Sequence, residues 1–272
     1  MSRRWYLAAF GAWMGVTIGC ESRPPAVLET VDPTGLEIRK EVDEDEEPID
    51  RDLIRRRMEE HRRRAATRPI ASVATLHLSG SANGYDPFVD RDCPPEGSAT
   101  EAHKIEQNQR KNRLSTPTAT DIESSVTLSE LRRSGNDTNR WSPERAATIV
   151  GYIRSVKGTG AESCNCGETS RRLTDTHIDV VSGPSDHRKP VIVEITPVWR
   201  LMHEHQGIED WSSAAVKAKY EGHRVRITGW LFFDDAHLLE ADNTDPGDHH
   251  GKKNWRKTCW EIHPVTKIEI LP

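Results

Sequence analysis

The run at residues 223–235, HRVRITGWLFFDD, limits what this chain can become more than any other stretch. Val225, Ile227, Leu231 and Phe233 fall on one side of an extended chain, and Arg224, Arg226, Thr228 and Trp230 on the other. Alternation with period two over this length marks a half-buried strand. Gly229 stands mid-run, where small closed sheets bend or bulge. The run is too short and too polar to span a membrane. A lone strand leaves its backbone unpaired and its apolar side bare, so partner strands are required.

The flanking sequence supplies them. Strands are expected at 147–157 (ATIVGYIRSVK), 176–181 (THIDVV), 190–197 (PVIVEITP) and 260–271 (WEIHPVTKIEIL). Pro264 places part of the last at an edge or bulge. A helix is expected over 211–221, with Gly222 as its stop, and Ser142-Pro143-Glu144 reads as another helix start. The order β-β-β-α-β-β resembles the OB-fold, a five-stranded Greek-key barrel with one helix between strands three and four. The resemblance covers 142–272 and implies a mainly β domain at 141–272. The segments GYIRSVKGTGAESCNC, DTHI and WEIHPV are also similar to a recurring class of exported bacterial proteins. That likeness implies export but no activity.

Composition bears on the rest of the chain. Hydrophobic residues make up 35% and charged residues 30% of 272, which is too little apolar material for a second large core. Arg3 and Arg4 precede an apolar stretch at 5–18 with the length of a signal-peptide core. It ends in Thr17-Ile18-Gly19-Cys20, which resembles the lipobox of bacterial lipoproteins. The resemblance implies removal of 1–19, acylation of Cys20 and membrane anchoring. Glu21 after the cysteine points to the outer membrane if the cell has two. Residues 20–69, rich in proline and in blocks of like charge, are expected to be a disordered tether. Residues 70–140 are expected to be an irregular or helical extension packed on the barrel, with 101–114 a polar surface helix.

Several side chains are candidates for chemistry. Asp175, His177 and Asp179 share one face of the second strand, and Glu261 and His263 one face of the last. Histidine beside carboxylate suits zinc or another divalent metal, or general acid–base work. The imidazoles of His177 and His263 are expected within about 8 Å of each other, close enough for one ion or a water network. Cys164 or Cys166 would be the nearest further ligand. With Cys20 acylated, Cys93, Cys164, Cys166 and Cys259 remain, and export favours disulfides in any of three pairings. Trp230, with Arg224, Arg226 and Arg256, is expected to form an exposed ligand groove of stacking and backbone contacts.

These features lead first to a membrane-tethered binding domain of the envelope, without enzymatic activity. Its ligand would be an oligosaccharide, a nucleic acid or a protein, and no cofactor is required. The net charge of −5 gives nucleic acid no support. One alternative is a metal-dependent hydrolase. Asp175-Thr176-His177 resembles staphylococcal-nuclease-like OB enzymes, which implies phosphodiester chemistry. The other is a purely structural envelope lipoprotein. No zincin, P-loop or nucleophile-elbow motif is present.

Overall fold

The structure, a computed structural model, describes residues 84–247 and 253–272, with isolated positions between 52 and 63. The expected signal segment, Cys20, most of the tether, the run at 70–78, and His249 and His250 lie outside the described residues.

Five strands dominate: β1 Ala146–Gly158, β2 Thr176–Val181, β3 Val191–Ile195, β4 Arg224–Phe233 and β5 Trp260–Ile270. They close into a barrel in the order β1-β2-β3-β5-β4. β3 and β5 run parallel and the other neighbours antiparallel. Thirteen residues let β1 serve two partners, β4 over its first half and β2 over its second. Closure leaves none of these strands as a bare edge.

Alternation sets the two faces. Ile149, Ile153, Ile178, Val193, Ile227, Leu231 and Ile262 belong to one buried apolar cluster. The intervening residues of β2, β3 and the first seven residues of β5, 260–266, are buried as well, so these stretches are covered on both sides. Among the described residues from 84 onward, five α-helices accompany the barrel: α1 Pro87–Asp90, α2 Ala102–Lys111, α3 Leu128–Leu131, α4 Pro197–Gln206 and α5 Ser213–Tyr220. A disulfide joins Cys93 to Cys166, tying the segment after α1 to the β1–β2 connection. The 3-10 turn Ser163–Asn165 lies in that connection.

Proline explains two departures from the sequence reading. Pro197 is the first residue of α4, where its missing N–H costs nothing, rather than the end of a strand. Two helices therefore stand between β3 and β4 in the chain where one was expected. Ser142-Pro143-Glu144 begins no helix. Arg145 N–H donates to the Ser142 carbonyl across a turn, and the chain then enters β1. Pro264 sits in a closed barrel, at a bulge. β4 and β5 pair at Gly229↔Val265 and Leu231↔Ile262, so Trp230 faces both His263 and Pro264. Gly229 makes this approach possible, since a Cβ there would lie 2.3 Å from the Pro264 carbonyl oxygen.

Helix α2 is only in part the solvated helix expected. Gln107 and Asn108 are buried, and Asn108 donates to the Glu96 carbonyl and Ser163 Oγ. Asn108 faces the β1–β2 connection, while His103, Glu106 and Gln109 remain exposed as expected of a surface helix.

Candidate functional site

Register brings one set of polar residues together. His177 on β2 stands directly opposite Glu194 on β3. Val193 pairs with Ile262 across the parallel β3–β5 junction, so Glu194 lies beside Glu261 and His263 on the same face. Three strands thus carry His177, Glu194, Glu261 and His263 in a row. All four are buried. Around them close Lys111 from α2, Glu162 and Cys164 from the β1–β2 connection, and Asp234, His237, Trp255 and Arg256 from the β4–β5 connection. Lys111, Glu162, His177, Glu194, Asp234, His237, Trp255, Arg256 and Glu261 leave a cavity of about 10 Å³, room for roughly one water-sized particle; His263, Asp175 and Cys164 do not line it.

The contacts form one network. Glu194 bridges the two histidines: Oε1 lies 3.0 Å from His177 Nδ1 and Oε2 3.3 Å from His263 Nδ1. His177 Nε2 is 3.3 Å from Asp179 Oδ1. His263 Nδ1 is also 3.3 Å from Glu261 Oε2, and its Nε2 points to Asp175 Oδ2 at 3.6 Å. No hydrogen-bond partner among the described residues meets His263 Nε2, although the side chain is fully buried. Lys111 holds Glu162 at 2.9 Å. Arg256 holds Asp234 at 3.0 Å and Glu261 at 2.5 Å.

Charge is unevenly matched. Six carboxylates, on Glu162, Asp175, Asp179, Glu194, Asp234 and Glu261, meet three permanent cations, Lys111, Arg154 and Arg256. Burial raises the pKa of each carboxyl, and a neighbouring cation reverses that. Lys111 does so for Glu162, Arg256 for Glu261, and His237 with Arg256 for Asp234, so these three lie below the usual carboxylate range. Asp175 and Glu194 touch no lysine or arginine among the described residues. Burial and the charge of Glu162 push Asp175 up. Burial, with the charge of Glu261, pushes Glu194 up to about 7 against the hydrogen bond from His177. Burial opposes charge on His263, but Glu261, Glu194 and Asp175 hold its pKa above the ordinary value. The positive charge therefore touches the rim, whereas at the centre Arg91 and Arg200 act on Asp175 only at longer range.

Two ligand sets have their donor atoms within 4.8 Å of one another. They are Asp175, Glu194 and His263, and Glu162, Cys164 and Asp175. Asp175, His177, Glu261, His263 and Cys164 from the sequence reading lie in or against this network. Cys166 does not belong with them, because its sulfur is committed to Cys93. That single bridge corrects the expectation of two, since Cys164 and Cys259 are buried thiols.

The expected groove around Trp230 is also corrected. Trp230 is 7% exposed, its indole N–H donates to the Ser115 carbonyl, and the Arg113 guanidinium lies 4.3 Å from the ring centre. Arg224 and Arg226 are exposed, with Arg226 3.9 Å from Glu269 on β5. Arg256 is buried in the polar network. The bulge at Gly229 and the segment at 113–115 separate what alternation alone puts on one face.

Sequence reasoning missed Glu194, Glu162 and Lys111. A signal for Glu194 was present: it is the one charge in VIVEI, a run otherwise apolar enough for a strand buried on both faces. A charge there needs a partner across the sheet. Glu162 and Lys111 carry no comparable local mark. No protein-family model matches this chain, and no curated protein matches it either.

Proposed function

We propose that this chain is an exported, lipid-anchored envelope protein whose barrel is an OB-type binding domain, and that the domain binds a divalent cation between Asp175 and His263, with Glu194 against the other ring nitrogen. The lipobox-like Thr17–Cys20 supports the anchor. The strand circuit β1-β2-β3-β5-β4 supports the OB assignment, as does the helical connection from β3 to β4. OB domains bind ligands on the face of strands two and three, between the loops joining strands one to two and four to five. The polar cavity occupies that location. The ligand assignment is carried by His263, a fully buried imidazole whose Nε2 has no hydrogen-bond partner among the described residues and faces a carboxylate. An unmet nitrogen in such a place is costly, and a cation between it and Asp175 removes the cost.

Binding is favoured over hydrolysis because Asp175 and His263 are fully buried, which leaves room for an ion but not for a phosphodiester. An oligosaccharide or nucleic-acid groove on β4 lost its basis when Trp230 proved covered. The test is metal analysis of the full chain, purified in detergent, stripped with chelator and dialysed against Zn²⁺, Mn²⁺, Ca²⁺ and Mg²⁺ in turn. About one ion per chain is expected for at least one metal, and loss of that ion in H263A. An ion held at 100 times its dissociation constant also stabilises the fold by about 2.7 kcal/mol. Failure of all four metals to bind the folded wild-type chain refutes the reading.

A further inference from the structure

Cys164 lies at the cation site proposed above, and its place there bears on which ion the site takes. We infer that Cys164 supplies a thiolate ligand, so that the site selects a thiophilic divalent ion of the zinc class over Ca²⁺ and Mg²⁺. This inference rests on the cation reading and narrows it.

Three observations carry it. First, Cys164 remains a thiol two residues from a formed disulfide, and it is 1% exposed. Buried structural cysteines behave as small hydrophobes. This one faces carboxylates, with Sγ 3.4 Å from Glu162 Oε2 and 3.8 Å from Asp175 Oδ2. Second, the two ligand sets meet at one atom. Asp175 Oδ2 is 3.6 Å from His263 Nε2 on one side and 3.8 Å from Cys164 Sγ on the other. Metal–ligand bonds of about 2.0–2.3 Å give a tetrahedron with edges of about 3.3–3.8 Å. Both contacts are within a small adjustment of such an edge, while Cys164 and His263, which share no set of donors within 4.8 Å, must draw together as the ion binds.

Third, each donor has an outer partner that fixes it. His263 Nδ1 lies between Glu194 and Glu261, leaving Nε2 toward Asp175, the arrangement of a carboxylate–histidine–metal triad. Asp175 Oδ1 accepts from Asn165 Nδ2 at 3.1 Å, and Asn165 Oδ1 accepts from Arg91 at 2.8 Å. Glu162 is held by Lys111. Sulfur, imidazole and carboxylate together suit zinc. Ca²⁺ requires six to eight oxygens, and Mg²⁺ keeps several waters, which the fully buried Asp175, His263 and Cys164 do not admit. As the sulfur–metal bond forms, the S–H bond breaks and its proton leaves to solvent.

The test is the Co²⁺ spectrum of the full wild-type chain, with C164S and C259S as comparisons and thermal unfolding to verify that each is folded. A near-ultraviolet sulfur-to-cobalt charge-transfer band is expected in wild type and C259S and not in C164S. Zn²⁺ should displace the cobalt, a large excess of Ca²⁺ or Mg²⁺ should not, and C164S should bind Zn²⁺ at least about tenfold more weakly. Cobalt bound without the band, or lost to Ca²⁺ or Mg²⁺, overturns the thiolate assignment and leaves the cation site standing. No Co²⁺ or Zn²⁺ bound to folded wild type overturns the assignment too. If Ca²⁺, Mg²⁺ and Mn²⁺ also fail to bind, the cation site falls with it.

Discussion

Arg256→Met removes the cation that two buried carboxylates share. The side chain is 1% exposed and its guanidinium contacts Asp234, Glu261 and the Thr258 carbonyl. Methionine fills much of the volume and supplies no charge. Breaking a buried pair from one side costs about 3–5 kcal/mol, because the remaining charge stays buried without compensation. Two carboxylates are stranded here, although Asp234 keeps His237 and Glu261 keeps His263. We therefore expect a loss within that range. For a domain of this size it corresponds to a fall in Tm of about 6–20 °C. The pH dependence has a definite sign. Asp234 and Glu261 lie below their ordinary pKa values in the folded protein, so they contribute stability above pH ~4 and lose it as the pH falls. R256M abolishes that contribution, so the gap between variant and wild type should narrow below pH ~4. Thermal and urea unfolding at pH 7 and at pH 3.5 measure both quantities. A fall in Tm under about 2 °C at pH 7, or a gap independent of pH, would refute the claim that this network is desolvated and charged.

Cys93→Ala opens a bridge across a sequence separation of 73 residues. Chain entropy puts its contribution at about 4 kcal/mol, read as a lowered urea midpoint. Gly229→Ala drives a methyl into the Pro264 carbonyl and Ile262 Cγ2, and should cost about 1–3 kcal/mol by the same assay. Trp230→Ala should cost about 3–5 kcal/mol, whereas Arg226→Ala should stay within about 0.5 kcal/mol. Equal small effects for both would return Trp230 to the surface.

The sequence by itself determined the strands. Period-two alternation in RVRITGWL, THIDVV and WEIHPV follows from apolar packing of one face, a local property that needs no knowledge of neighbours. It also marked the polar faces of β2 and β5, because His177 and His263 alternate with Ile178 and Ile262. It did not determine what lies over those faces. Covering depends on contacts distant in sequence: Lys111 against Glu162, Arg256 against Glu261, and the 113–115 segment against Trp230. Nor did it determine the centre of the site. Glu194 joins the two histidines only because β3 lies between β2 and β5, parallel to one and antiparallel to the other. Alternation assigns a side chain to a face, while barrel closure and register assign its neighbours, and those neighbours decide whether a carboxylate is solvated, paired or left facing an unmet histidine nitrogen.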